Sequence, residues 1–217
     1  SSPRRSSSIA LAAKQTKVKV EKAAAAFNTK PRLGLAALQA SQLLSDPLDS
    51  QEVAVFLRET SQLDKAVVGD YLSGPEAFNA AVLQHFVTAF DFSSHTIDSA
   101  LRVFLQAFRL PGEAQKIDRV MEAFAQTLYA ANPGPFKTAD AAYVLAFAII
   151  MLNTDRHNTQ VVNKMTCEEF IRNNRGINAD ADLPTDFLEA IFASIDCNEI
   201  RMLGLKEEAT LSRAGWR

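Results

Sequence analysis

The pattern of apolar and polar positions along the chain predicts a succession of short helices joined by turns. Apolar residues recur at helical spacing in segments that are roughly 10 to 16 residues long in the first part of the chain, and breaks rich in proline, glycine and asparagine separate these segments. Alternating patterns of Val, Ile, Thr and Tyr, which would indicate strands, are nearly absent. The sequence therefore predicts an all-α protein. The first predicted helix begins near residues 9–13 and ends at Phe27, and Asp49 is expected to cap the third. The other predicted helical segments are 34–44, 63–72, 75–90, 97–108, 113–131, 141–152, 166–173 and 184–195.

One sharp break divides the chain, in the stretch FRLPGEAQKIDR from Phe108 to Arg119. An apolar stripe at helical spacing precedes the break, and a second one resumes at Ile117. Pro111 and Gly112 interrupt the helical pattern, and Glu113 follows them at the first turn of the next helix. An acid there is favoured by the helix dipole by about 0.3–1 kcal/mol, so a purely structural role remains open.

Residues 141–152 form a run of twelve consecutive apolar residues, AAYVLAFAIIML. A membrane-spanning helix needs about 20 such residues, so the run predicts a helix covered by protein on several sides. At about 100° per residue, two stripes are expected on opposite sides of this helix. The first stripe contains Tyr143, Phe147, Ile150, Met151 and Thr154, and the second contains Val144, Leu145, Ala148, Ile149 and Leu152. One stripe faces the core, and the other faces further helices or a partner.

Charge and composition narrow the class of protein. The net charge is −2, but residues 1–30 carry +6 and the rest of the chain −8, which disfavours nucleic-acid binding by the body. The basic segment at residues 1–30 is best explained as a solvated linker. The alternative is that it contacts an anionic membrane surface. We expect residues 1–12 to be a disordered linker, 13–203 to be the folded domain, and 204–217 to be a tail or linker. Two cysteines and no apolar leader indicate a cytoplasmic protein.

Several kinds of catalytic site are missing from the sequence. No glycine-rich phosphate-binding motif occurs, and the three histidines lack the spacing of metal ligands. The segment 178–184 lacks the central glycine and final acid of a calcium loop and predicts an acidic turn. Neither cysteine has an evident histidine partner, so we do not expect an enzyme that works by covalent catalysis.

FRLPGEAQKIDR, followed by YVLAFAIIMLNTDRHN from Tyr143 to Asn158, strongly resembles the two signature motifs of the Sec-seven domain family. These domains are guanine-nucleotide exchange factors for ADP-ribosylation factors, small GTPases of vesicle budding and membrane traffic. The resemblance extends to the NRGIN and NEIRM stretches and covers about 185 residues. It implies an all-α, right-handed superhelix of about ten helices, with a hydrophobic groove between the loop carrying Glu113 and the following signature helix.

The resemblance also implies roles for individual residues. Glu113 would be the "glutamic finger" that enters the phosphate and magnesium site of the GTPase and promotes GDP release. The residues expected to line the GTPase-binding groove are Arg109, Leu110, Asp118, Tyr143, Phe147, Ala148, Ile150, Met151, Thr154 and Asn158. Brefeldin A inhibits some members. Asp155 and Met165 resemble the sensitive type. Phe147-Ala148 resembles the resistant type, since sensitive members carry Tyr-Ser at this pair, so we expect resistance or weak sensitivity.

By the same resemblance, the protein has no cofactor or metal of its own, because GDP, GTP and Mg²⁺ belong to the partner GTPase. It would work at the cytoplasmic face of Golgi or endosomal membranes, recruited by domains outside this chain. The alternative is a non-catalytic helical scaffold or adaptor that binds a partner in the same groove.

Overall fold

The structure, a computed structural model, describes residues 3–201, with side chains from residue 13 onward. Ten α-helices occur in this part of the chain, and the only β-type pairing there is an isolated bridge between Asn178 and Ala181. The all-α class is confirmed. The helices are α1 (Pro3–Thr29), α2 (Pro31–Ala40), α3 (Ser50–Glu59), α4 (Lys65–Leu72), α5 (Ala77–Thr88), α6 (Ile97–Leu105), α7 (Ala114–Ala131), α8 (Ala139–His157), α9 (Cys167–Asn173) and α10 (Thr185–Cys197).

The first helix begins earlier than the sequence pattern predicted. Helix α1 starts at Pro3, so it runs through the segment expected to be a disordered linker. Proline suits the first position of a helix because its φ is already helical and its missing N–H is not needed there. No further proline or glycine interrupts the chain before Thr29. The predicted tail at 204–217 lies outside the described residues.

The folded chain consists of two compact units, which divide between Phe86 and Val87. In the first unit, Phe27 makes edge-to-face contacts with Phe56 and Tyr71, at ring-centroid distances of 5.8 and 5.5 Å. Helices α1 and α2 cross in direct contact at Gly34, where an added Cβ would lie 2.5 Å from the Cβ of Phe27. Only glycine allows this approach, so Gly34 fixes the packing of the two helices.

The second unit contains α6 to α10 and is built around aromatic rings. Phe104 packs on Phe108 and on Phe124, with ring centroids 5.1 and 5.3 Å apart. Helix α8 packs against α6, α7 and α10. Its buried Asn153 accepts a hydrogen bond from the Ile200 amide at 2.7 Å and donates one to the Ile200 carbonyl at 3.2 Å. The chain that follows α10 is thereby fixed to α8.

The helix before the break ends sooner than its apolar stripe suggested. The stripe runs to Phe108, but α6 ends at Leu105. Phe108 nevertheless has no exposed surface, because the loop folds its ring back onto Phe104. Apolar spacing therefore marked the buried residues correctly and misplaced the helix end.

Candidate functional site

The loop between α6 and α7 is anchored by its apolar residues and exposes its polar ones. Phe108 is fully buried and Leu110 is 4% exposed, while Arg109, Gly112 and Glu113 are exposed. Leu110 was expected on the groove surface, and the structure instead places its side chain in the interior. The reason is that Leu110 and Phe108 hold the loop against the body of the unit. The exposed end of the loop is Gly112-Glu113.

Gly112 has open space on its outer side. A Cβ built on this residue would meet no atom within 4 Å, apart from its neighbours in the chain. Contacts within the described protein therefore do not require glycine at this position. The bare backbone leaves room beside Glu113 for another molecule.

Glu113 occupies the N-cap position of α7, in an extended conformation with φ −85° and ψ 126°. Its carbonyl accepts the first hydrogen bonds of the helix, from the amides of Lys116 and Ile117 at 2.9 and 3.0 Å. Its carboxylate makes no capping hydrogen bond with the helix, although the side chain at an N-cap commonly does so. Side-chain capping of the helix is therefore not the role of this acid, although the helix dipole still favours a negative charge at this position.

The Glu113 carboxylate instead meets a lysine on the first turn of α7. Lys116 Nζ donates to Glu113 Oε1 at 2.9 Å, and the two residues form an i,i+3 ion pair. The Glu113 side chain remains 71% exposed, whereas that of Lys116 is 23% exposed. Such an exposed pair is weak, and a competing cation can take over the carboxylate.

Helix α8 presents an apolar surface that differs in part from the predicted stripe. Tyr143, Phe147, Ala148 and Met151 are half-buried, and Val144 is 41% exposed. At about 100° per residue these five side chains span an arc of roughly 140°. We call them the apolar face of α8. Thr154 and Asn158 extend this face toward the C-terminal end of the helix and are half-buried as well.

Three assignments on this helix are corrected. Ile150, predicted on the first stripe, is only 2% exposed. Val144 and Ala148, predicted on the opposite stripe, both reach the surface, Val144 with 41% exposure and Ala148 half-buried. Leu145, Ile149 and Leu152 of that opposite stripe are buried as expected. The cause is that the flanking helices cover one edge of the predicted arc, so the accessible face is rotated about the helix axis. Val144 is a residue that the sequence reasoning missed.

Helices α7 and α8 enclose an open cleft of about 240 Å³ that adjoins this face. Asp118 and Glu122 line it from α7, and Asp140 and Tyr143 line it from α8. The Tyr143 hydroxyl donates a hydrogen bond to Asp118 Oδ1. Partial burial of the ring, followed by this bond to a carboxylate, raises the pKa of Tyr143 above its usual range. The phenol therefore stays protonated and holds Asp118 in the cleft. The predicted site residues Asp118 and Tyr143 are thus in contact.

The loop that follows α8 is held against the C-terminal end of the helix by hydrogen bonds. Lys164 Nζ donates to the carbonyls of Asp155 and Asn158, at 2.7 and 2.5 Å. The Asp155 carboxylate accepts the Met165 amide at 2.6 Å. Asp155 and Met165, the two residues that resemble the brefeldin-sensitive type, are therefore joined by a hydrogen bond. A lysine at this end is also favoured by the helix dipole.

Other features of the described chain bear on cofactors and membranes. Between residues 13 and 201, no three His, Cys, Asp or Glu side chains are grouped so that they could hold a metal ion. In the same part of the chain, no helix is both long enough and apolar enough to cross a membrane.

Comparison with known proteins identifies the family. Residues 16–200 match the family described as "Sec7 domain". The chain belongs to the Sec7 domain family. It is 54% identical over 175 residues to the ARF guanine-nucleotide exchange factor GNOM of Arabidopsis thaliana, an alignment that covers 81% of this chain and 12% of GNOM. More generally, the chain spans 10–14% of the length of the curated relatives it matches.

Solved structures of the family have the same fold. The crystal structure of the Sec7p catalytic domain is 48% identical with a TM-score of 0.77, over 82% of this chain and 94% of that one. A second structure, of ARF1-GDP bound to a Sec7 domain with brefeldin A, is 35% identical with a TM-score of 0.78. It covers 88% of this chain and 96% of the matched one. The membership expected from the two signature motifs is confirmed.

Sequence reasoning left three features of the site unidentified. They are Val144 on the apolar face of α8, Lys116 beside Glu113, and Lys164 at the end of α8. The i,i+3 spacing of Glu113 and Lys116 could have indicated the ion pair. The contacts of Lys164 cross a loop without a regular repeat, and no pattern in the sequence indicated them.

Proposed function

We propose that this chain is the catalytic exchange domain of a larger protein and promotes GDP release from an ADP-ribosylation factor. The observation that carries the proposal is Glu113. It lies at the exposed end of an anchored loop, its side chain is 71% exposed, and its carboxylate makes no capping bond to its own helix. The motif containing it is that of a family whose relatives are named as exchange factors for these GTPases.

The mechanism follows from placing a negative charge beside bound phosphates. In the partner, Mg²⁺ and a lysine hold the phosphates of GDP. The Glu113 carboxylate repels these phosphates, competes for the lysine and disfavours the metal ion. Two unit charges about 4 Å apart at an effective dielectric constant of about 20 interact by about 4 kcal/mol. That energy corresponds to an acceleration of roughly 10³ in nucleotide release.

Binding energy has to come from another part of the surface, because the bound nucleotide repels Glu113. The apolar face of α8 supplies it in this proposal, with its four largest side chains, Tyr143, Val144, Phe147 and Met151, packing on the partner. Full burial of four such side chains gives at most about 6–12 kcal/mol before the costs of association. By reciprocity, a GTPase whose nucleotide affinity is lowered by this domain releases the domain when nucleotide rebinds.

Release of a fluorescent GDP analogue from an ADP-ribosylation factor tests the proposal. We expect Glu113→Lys to fold normally, because the side chain is exposed, and to lower the exchange rate by roughly 10³. Asp186→Lys is the matched control, since it reverses an exposed acid in the first turn of α10, outside the site. The control is expected to exchange at the wild-type rate. Wild-type exchange by Glu113→Lys would refute the mechanism.

The same assay separates the catalytic function from a scaffold or adaptor. A scaffold would bind the GTPase through the apolar face of α8 without accelerating nucleotide release. Recruitment to Golgi or endosomal membranes by segments outside this chain belongs to the proposal as well. It is supported by the size of the relatives, of which this chain spans only a small part.

A further inference from the structure

The lysine that pairs with Glu113 stands at an unfavourable place in its helix. Lys116 is the third residue of α7, in the turn where the helix dipole is positive and cations are disfavoured. Helix α7 has no acid in its first turn, unlike five other helices in the part of the chain that the structure describes. The acids in those first turns are Glu52, Asp98, Asp140, Glu168 and Glu169, and Asp186. The helix dipole therefore does not explain a cation at position 116, and the favourable contact of Lys116 there is its ion pair with Glu113.

The contact geometry indicates what this lysine does. Its ammonium group donates to Glu113 Oε1 at 2.9 Å, and its side chain is largely covered, whereas that of Glu113 is 71% exposed. The lysine is thus the fixed member of the pair and the glutamate is the accessible one. The carboxylate is thereby held against the first turn of α7.

We propose that Lys116 is a positioning residue that holds the Glu113 carboxylate on α7 in the free protein and gives it up to the GTPase. This inference rests on the proposed exchange function. When the domain docks, the phosphate-binding lysine of the partner replaces Lys116 as the counter-ion of Glu113. The resting pair opposes insertion of the glutamate, so part of the insertion energy is used to break it.

The expected effect is small and has a definite sign. Exposed i,i+3 ion pairs stabilise by amounts that correspond to about a 1.5- to 2.5-fold change in an equilibrium constant. Removing the charge of Lys116 should therefore raise the maximal exchange rate by about 1.5- to 2.5-fold. The concentration of domain at half-maximal rate should stay unchanged, because the apolar face of α8 is not altered. The gain should vanish near 1 M salt, where the screening length is about 3 Å.

Exchange kinetics of four single variants test the inference, with circular dichroism to verify folding. Lys116→Gln and Lys116→Met remove the charge in two different ways, and Lys116→Arg restores a cation and should return the rate to that of the wild type. Arg172→Met is the matched control, because it breaks another i,i+3 pair, with Glu169 at 3.8 Å on α9, and should not change exchange. A faster maximal rate for both neutral variants, lost at high salt, supports the inference.

Three outcomes would overturn it: an unchanged maximal rate, a lower one, or a gain that persists at high salt. A purely structural lysine would alter thermal stability without this salt-dependent change in maximal rate. Glu113→Lys, measured beside these variants, separates a failure of the role of Lys116 from a failure of the proposed exchange function. If Glu113→Lys loses exchange while the neutral Lys116 variants match the wild type, only the role of Lys116 fails. If Glu113→Lys exchanges at the wild-type rate, the proposed function is refuted, and the role of Lys116, which rests on it, is refuted as well.

Discussion

The rotated face of α8 leads to a comparison of three substitutions, Val144→Asp, Met151→Asp and Ile150→Asp. Val144 is 41% exposed and Met151 is half-buried, whereas Ile150 is 2% exposed although it is adjacent to Met151 in the sequence. A charge at the first two positions can remain in water. At position 150 it would be buried among apolar side chains, where an unpaired charge is very costly.

The expected magnitudes separate the two classes clearly. Val144→Asp and Met151→Asp should lower the free energy of unfolding by only about 1 kcal/mol, the centre of the distribution for point substitutions. Each should weaken binding to the GTPase by about 10- to 100-fold, because an apolar contact worth about 1.5–3 kcal/mol is lost. Ile150→Asp should lose more than about 4 kcal/mol, a large part of the roughly 5–15 kcal/mol that stabilises a typical domain.

Urea denaturation followed by circular dichroism measures stability, and titration against the nucleotide-free GTPase measures affinity. Val55→Asp is a matched control, because Val55 is 55% exposed on α3, outside the site, and should affect neither quantity strongly. The assignment of faces is refuted if Met151→Asp or Val144→Asp unfolds the protein. It is refuted equally if Ile150→Asp folds normally and impairs only binding.

Two further predictions concern other parts of the chain. Brefeldin A should inhibit exchange by the wild type weakly, and the double variant Phe147→Tyr with Ala148→Ser should be inhibited at lower concentrations, because it adds the two hydroxyl groups of the sensitive type. An inhibition curve unchanged by the double variant would contradict this. The turn at Ala179 and Asp180 has φ of +54° and +60°, which non-glycine residues adopt at a cost, so Ala179→Asn with Asp180→Gly should stabilise the protein by about 1–2 kcal/mol. Calorimetry should show an increase in Tm, and Ala190→Asn, in helix α10, should show none.

Much of the fold could be predicted because helical spacing reports burial directly. The stripe from Ile97 to Phe108 marked residues that are all buried. Asp49 and Thr166 accept backbone hydrogen bonds at the N-caps of their helices, as Asp and Thr commonly do at this position. Helix ends were less predictable. Phe108 continues the stripe but lies in the loop after α6, since an apolar ring can be buried from either conformation.

The site was predictable only as far as local sequence determines it. The position of Glu113 followed from Pro111-Gly112, but the state of its carboxylate depends on how far the side chain reaches toward Lys116. On α8 the angular spacing of residues was known, whereas the centre of the exposed arc depends on where α7 and α10 pack. For that reason Ile150 and Val144 were assigned to the wrong sides.

The empty space beside Gly112 makes this residue a convenient attachment point for a spectroscopic reporter. Gly112→Cys would add a thiol where a Cβ meets no atom of the described chain, one residue from Glu113. The two native cysteines are both free thiols, so serine would first have to replace Cys167 and the exposed Cys197. A dye or spin label at position 112 would then record the arrival of a GTPase at the loop as a change in fluorescence or mobility. The same bare backbone that leaves room for a partner would thus allow its docking to be timed separately from nucleotide release.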